Sequence, residues 1–328
     1  MAIFISGATG FIGSKLALKL AAEGNTIHAL YRSEEKAKIL HVPNIKLFKG
    51  DILQIESLLN AMQDCDYVYH TAAYTNVWDK DRSVIYTLNI EGTMNIIRAA
   101  TVHNVRRIVC TSTAGVFGSS PPGIVLNENS PKPYKYFIDY ENSKAILENI
   151  LKTISLKGPE IVILNPSRVY GEGILSESNG VTRMIEKYIH GKWRFIPGNG
   201  NSSGNYVHVD DVVIAHILAL NKGKNGEGYI IGGENVSYNT FFKVLSEVSG
   251  KKYALYKIPL FFMLLISSLM MIKVFISGGK PLITPALVRK FNCNFNLSSE
   301  KAIKELGYSP RDLKKGLEET VNWLKIKS

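Results

Sequence analysis

The sequence predicts an α/β fold on a parallel, doubly wound sheet, with a smaller and mainly helical C-terminal lobe. Three observations carry this. Short apolar runs alternate with helical runs through the first half. A glycine turn joins the first run directly to the first helix. From residue 234 onward helical patterns broken by Gly and Pro dominate. Strands that alternate with helices need crossover connections, which leave neighbouring strands parallel.

In chain order, AIFIS (2–6) reads as a buried strand and SKLALKLAAEG (14–24) as its helix, with Gly24 near the end. TIHALYR and KLFKGD give the second and third strands, and IESLLNAM a helix. DYVYHTAA is the fourth strand. A long helix is expected over 85–102, RIVCTST as the fifth strand, a helix over 139–154, and EIVILNPS as the sixth strand. GYIIGG (228–233) returns to the sheet. The expected division is a nucleotide-binding domain over 1–168, with a returning segment near 204–233, and a substrate lobe from 169–203 and 234–328.

The chain has 328 residues and a formal charge of +11, with lysines spread along its length. A solvated basic surface is one reading; attraction to an anionic cofactor or membrane is the other. There is no zinc-finger or RNP-type signature, so no nucleic-acid partner is expected. Cys65, Cys110 and Cys293 are odd in number and lack metal spacing. They suit a reducing, cytoplasmic setting, with no metal site expected. The first strand starts at once, leaving no room for a signal peptide.

The first strand ends in Gly7-Ala8-Thr9-Gly10-Phe11-Ile12-Gly13, and a helix follows. Glycines there allow a tight turn, close approach to a pyrophosphate, and helix–strand packing at Gly13. The helix N-terminus adds free N–H groups and a positive dipole end. The spacing is GxxGxxG rather than GxGxxG, but its place between strand and helix points to a dinucleotide and a Rossmann-type domain. At the second strand end, Leu30-Tyr31-Arg32-Ser33 carries no acid for ribose hydroxyls. Arg32, helped by Ser33 and Lys36, suits a 2′-phosphate, so NADP is expected, with NAD as the alternative. Asp51-Ile52, after the third strand, is placed beside the adenine.

Tyr140 and Lys144 stand four apart at a helix start, on one face. A free phenol titrates near ~10; a neighbouring ammonium and an oxidised nicotinamide would lower it. Thr111-Ser112-Thr113 ends the fifth strand, where strand ends face the cofactor crevice. Asn89 lies in the helix after the fourth strand, where its amide either binds water or backbone or is simply exposed.

With these residues placed, the chain resembles the extended short-chain dehydrogenase/reductases of the epimerase/dehydratase superfamily. The resemblance rests on GATGFIG, HTAA, LNIEGTMNI, TSTAGVFG, YENSK, NPSRVYGEG, YVHVDDVVIAH and SSEKAIKELGYSP. It implies that Thr113, Tyr140 and Lys144 form the catalytic set with Asn89. It implies that Thr71, Ala72 and Ala73 line the cofactor, that Lys144 also reaches its ribose, and that Pro166, Ser167 and Val169 lie by the nicotinamide. It also implies a homodimer through the helices bearing Asn89 and Tyr140. Nucleotide-sugar members usually carry an Arg-Asp pair where this chain has Gly204-Asn205; Arg168 and Glu172 alter the same region. The C-terminal half instead resembles dihydroflavonol-4-reductase-like and 3β-hydroxysteroid dehydrogenase-like members, which act on hydrophobic carbonyls or alcohols. The expected activity is NADP-dependent carbonyl reduction or alcohol oxidation. A nucleotide-sugar epimerase/dehydratase and a non-catalytic NADP sensor are the alternatives.

LFFMLLISSLMMI (260–272) is almost wholly apolar, with Pro259 at its start and Lys257 and Lys273 on either side. A helix of that length covers ~20 Å, short of the ~30 Å hydrocarbon core. It is expected as a buried lid over a lipophilic pocket, as an interfacial membrane helix, or, least favoured, as a span.

Overall fold

The computed structural model describes residues 1–155, 158–175 and 179–327. The first six strands are β1 (Ala2–Ser6), β2 (Thr26–Tyr31), β3 (Ile45–Lys49), β4 (Tyr67–His70), β5 (Arg107–Thr111) and β6 (Glu160–Pro166). Next come β7 (Arg168–Tyr170), β8 (Phe195–Pro197) and β9 (Ser203–His208), then β10 (Gly228–Ile231), which rejoins the main sheet. The main sheet has the order β3-β2-β1-β4-β5-β6-β10, and every pairing is parallel. The strand order reverses between β1 and β4, the switch point where such sheets bind ligands.

Buried on both faces, the central strands are apolar in near-continuous runs. On one face lie α1 (Phe11–Ala22), α8 (Val209–Lys222) and α12 (Glu300–Leu306), with Leu16, Leu20, Val213 and Leu306 in one core. On the other lie α3 (Ile55–Met62), α5 (Gly92–Val102) and α6 (Asp139–Ile154), with Leu58, Ile96 and Leu147. Each such side chain contributes ~1.5–3 kcal/mol on burial. Cys65 and Cys110 belong to this second core.

The long helix expected over 85–102 is broken. It comprises α4 (Ser83–Tyr86), a π-helical turn over Thr87–Glu91, and α5. The π turn adds a residue to the coil and turns Asn89 inward, where it is buried.

Beyond β6 the smaller lobe builds a three-stranded sheet of β7, β9 and β11 (Glu234–Ser237), and a pair of β8 with β12 (Tyr256–Ile258). Its core packs α7 (Gly180–Ile189), α9 (Tyr238–Ser249) and α13 (Leu313–Lys327) around Tyr206 and Phe241. α10 (Leu260–Ser277) and α11 (Pro285–Phe291) complete it. The mainly helical C-terminal region therefore holds, with short strands threaded through it. α10 runs five residues past the expected run, and Lys273 stays exposed on it.

Candidate active site

β1 ends at Gly7, whose φ of +72° and contact with the Ala72 backbone exclude a side chain: a Cβ would sit 2.5 Å from the Ala72 nitrogen. At Gly13 an added Cβ would meet the Gly7 carbonyl and lie 2.5 Å from Thr71 Oγ1, so helix and strand close tightly only with glycine. Thr71 Oγ1 is itself anchored on the Ser6 carbonyl at 2.8 Å. Gly10 caps α1 without a side chain, and the first turn has no acid. An uncapped helix N-terminus beside glycine backbone fits a pyrophosphate.

This turn opens into a cavity of about 1720 Å³. Single small-molecule sites are usually ~300–1,000 Å³, so there is room for a dinucleotide and a substrate together. Among the residues singled out in the sequence, Gly7, Thr9, Gly10, Phe11, Ile12, Gly13, Arg32, Ile52, Thr71, Ala72, Ala73, Thr113, Tyr140, Pro166, Ser167 and Val169 all line it. Asp51, Asn89 and Lys144 do not line it among the described residues. Asp51 accepts from the Leu53 N–H at 3.0 Å and stands 3.5 Å from Arg32 Nη1. The Arg32 side chain is 71% exposed, loosely held by this one carboxylate, with Ser33 and Lys36 also on the cavity wall. Ser33 caps α2 (Glu34–Ala37) through the Lys36 N–H.

Tyr140 and Lys144 occupy the first turns of α6 and Thr113 follows β5. The Thr113 hydroxyl stands beside the Tyr140 phenol on the cavity wall and accepts the Gly115 N–H at 3.1 Å. Burial pushes that phenol well above its ordinary range, and Glu141 and Cys110 add to this; the Thr113 hydroxyl works the other way. The sequence-based expectation of a lowered phenol is therefore not met in the protein alone. The reason is geometric: Lys144 Nζ donates to the Thr111 carbonyl at 2.9 Å, fully buried. Its own pKa is pushed down, chiefly by burial.

Ser112 faces away from this pair. Its hydroxyl donates to Glu148 Oε1 at 2.6 Å; Asn165 donates to the same carboxylate, and Lys132 lies at 3.3 Å. Lys144 and Glu148 continue the helix face that starts at Tyr140. Glu141 is buried and paired with Lys290 of α11 at 2.5 Å, which ties the smaller lobe to the residue beside Tyr140.

Asn89 is held by backbone and side chain, not exposed. Its Oδ1 accepts the Tyr74 N–H at 2.8 Å, and its Nδ2 donates to the Tyr74 carbonyl and to Ser143 Oγ at 3.0 Å. Ser143 Oγ donates to the Tyr140 carbonyl. On the other side Thr93 Oγ1 donates to the Asn89 carbonyl at 2.7 Å, so it accepts from His70 Nε2 at 2.8 Å. His70 Nδ1 then accepts from the Ser6 hydroxyl at 2.6 Å. The register that pairs Ser6 with His70 sets up this chain from β1 to the helix that carries Tyr140. The sequence pattern did not reveal it, because alternating burial says nothing of which buried hydroxyl meets which imidazole.

On the substrate side the wall is aromatic and aliphatic, including Trp193, Tyr206, Tyr238, Met263, Ile266 and Leu282. Arg168 lies here. An added Cβ at Gly204 would stand 2.5 Å from its Nη1. A guanidinium absent from position 204 is thus replaced, at that place, by one from the neighbouring strand. Met263 and Ile266 bring α10 to the cavity, yet only Ser267 of α10 is buried; Phe261, Phe275 and Ile276 are 70%, 92% and 78% exposed. α10 therefore covers part of the cavity along one side but is not buried as a lid was expected to be.

The chain matches the NAD dependent epimerase/dehydratase family over residues 3–232, more than two thirds of its length. It belongs to that family. Members of the NAD dependent epimerase/dehydratase family are nicotinamide-dinucleotide enzymes, as the glycine turn and YENSK implied. The chain is 28% identical to sterol demethylase protein B of Methylococcus capsulatus over 99% of its length and 98% of that protein. It is 29% identical to a putative dihydroflavonol 4-reductase of Synechocystis, over 98% and 93% of the two chains. The crystal structure of gox2253 superposes with a TM-score of 0.85 at 28% identity, covering 100% and 98%. These family likenesses extend through the C-terminal lobe, beyond the matched family region.

Proposed function

We propose that the protein is an NADP-dependent oxidoreductase that reduces a carbonyl, or oxidises the matching alcohol, on a hydrophobic small molecule. The observation that carries this is Thr113 and Tyr140 side by side on the wall of a cavity that runs from the glycine turn to an apolar lobe. The bound dinucleotide supplies or accepts the hydride. Thr113 and Tyr140 hold the carbonyl oxygen, and the Tyr140 hydroxyl gives its proton as negative charge develops there. A phenol raised by burial keeps that proton at neutral pH, which favours the reducing direction. Lys144, fixed by the Thr111 carbonyl, holds positive charge behind the phenol. Asn89 positions the helix through Ser143 and is assigned no contact with substrate.

Arg32, Ser33 and Lys36 are assigned to the 2′-phosphate. Arg32→Ala is expected to weaken NADP binding by roughly 10–100-fold, the value of one or two charge-assisted hydrogen bonds, and to leave NAD binding unchanged. Thermal stabilisation by the two cofactors at equal concentration measures this. Greater stabilisation of the parent by NAD would overturn the assignment.

We infer that α10 lies in the interface of an anionic bilayer. It is 18 residues long with a mean hydropathy of 2.3, and 6% of it is buried. Its length of ~27 Å and its composition would allow a span, but Met263 and Ile266 hold one side of it on the cavity. Residues 251–299 carry Lys251, Lys252, Lys257, Lys273, Lys280, Arg289 and Lys290 and no acid, which suits anionic lipid. The protein is expected to float with vesicles of phosphatidylglycerol and phosphatidylcholine and to be released by alkaline carbonate. Phe275→Asp is expected to stay in solution. Protein that ignores the vesicles, or that resists carbonate, would contradict the interfacial placement.

A further inference from the structure

Arg168 opens β7, directly after Pro166 and Ser167, and lines the cavity. Its Nη1 donates to the hydroxyls of Tyr206 at 3.1 Å and Tyr238 at 3.2 Å. The rings of Tyr206, Tyr238 and Phe295 lie 5.5, 5.6 and 5.5 Å from its guanidinium carbon. Among the described residues it has no carboxylate partner. Arg107 and Arg311, by contrast, are paired with Glu160 and Asp211. A guanidinium among rings is costly without a counter-charge, and cation–π contacts offset only part of that.

Among the described residues that line the cavity, none supplies a counter-charge. Among the described residues its lining includes Arg32, Lys36, Arg168, Arg183, Lys187 and Lys290 and neither Asp nor Glu. Arg32 and Lys36 stand at the ribose end, and Lys290 is matched by Glu141. Arg168 lies at the other end, among the residues that follow β6, away from the glycine turn that suits the pyrophosphate. Its hydrogen bonds to the described residues use Nη1, which leaves the Nη2 and Nε protons for a ligand. Both phenols accept from Arg168, so their own protons are also available. Tyr206 keeps its proton, since burial pushes it up to about 12.

We propose that Arg168, with the hydroxyls of Tyr206 and Tyr238, clamps an anionic oxygen group, carboxylate or phosphate, carried on the apolar substrate. This deepens the reading above, since it takes the cavity beyond Pro166 as the substrate site. A planar, charged donor fork beside two phenols matches two oxygens of one anion, while the surrounding side chains take an apolar body. The geometry serves carbonyl chemistry as well: an anion fixed at one end limits which carbon of a featureless body reaches Tyr140.

The test reads binding, not turnover, so it stands whether or not the proposed reaction is found. Keto-stearate, its methyl ester and UDP-glucose are titrated into the protein at saturating NADPH. The acid is expected to bind about tenfold or more tightly than the ester, and UDP-glucose less tightly than the acid. Arg168→Met is expected to erase the acid–ester difference and Arg168→Lys to restore part of it; retained stabilisation by NADPH reports that each variant is folded. If Arg168→Met does not fold, Tyr238→Phe, which removes one donor, is expected to narrow the difference. Equal binding of acid and ester by the parent overturns the clamp. So does a difference that survives in Arg168→Met, or tighter binding of UDP-glucose than of the acid.

Discussion

Tyr140→Phe is expected to lower turnover by roughly 10²–10⁴-fold while leaving NADPH binding near that of the parent. The change removes one oxygen and keeps the ring, so the packing at the start of α6 survives. What is lost is the proposed proton donor, which stands beside the Thr113 hydroxyl. The direction of the pH dependence follows from burial. The phenol is held above its ordinary range, so the reduction rate is expected to stay level through neutral pH and to fall only in strong alkali. Oxidation of the alcohol, which needs the phenolate, is expected to rise with pH over the same range. Steady-state rates in both directions, with apolar ketones and alcohols, check this. A Tyr140→Phe variant as active as the parent would end the proposed mechanism.

Acid is expected to destabilise the protein before its carboxylates protonate. His70 and His216 are fully buried, and burial pushes them down to about 3 and about 4, from 6.5 when exposed. Both are neutral and satisfied on both nitrogens. His216 donates to the Val212 carbonyl at 2.7 Å and accepts from Thr111 Oγ1 at 2.8 Å. His208 is lowered in the same direction, to about 3. Because the folded chain binds these protons more weakly, the unfolded chain holds more of them between the two pKa values. Stability is therefore full above about pH 6.5 and is lost as pH falls below it. At about pH 5 the loss is about 2 kcal/mol for each of His70 and His216. Together that is a large part of a typical stability of ~5–15 kcal/mol. The melting temperature is expected to drop on the order of 5–10 °C between about pH 7.5 and pH 5, and less in His216→Gln. A flat profile would contradict these assignments. His70 also sits in the hydrogen-bond chain to Asn89, and with its folded pKa at about 3 that chain stays neutral over this range, so the activity of the folded protein is expected to be unaffected.

The main sheet was legible because each buried parallel strand is a short apolar run closed by a turn signal, and β10 is visible in GYIIGG for that reason. The glycine turn was legible because Gly7 and Gly13 are positions where backbone meets backbone. The π turn was not. Ile85 to Val102 has helical periodicity throughout, and only the Tyr74 backbone, which Asn89 grips, shows why the coil gains a residue. The Arg168 cage joins Tyr206, Tyr238 and Phe295 from three separate segments, so no local pattern marks it. α10 is apolar on every side, and a helix with no polar face gives no sign of which side its protein covers. Lys144 was placed on the correct face, but its bond to the Thr111 carbonyl, and with it the raised phenol of Tyr140, depends on the depth of burial.

The central claim is that this cavity delivers hydride to a carbonyl carbon while Tyr140 supplies the proton. The most direct measurement is label transfer from NADPH deuterated at the reactive ring carbon to an apolar ketone, with parent and Tyr140→Phe side by side. The account predicts an alcohol with one deuterium on its carbinol carbon and a hydroxyl proton from solvent, formed by the parent and nearly absent with Tyr140→Phe. An unlabelled alcohol, or label that returns to the dinucleotide without net reduction, would contradict it.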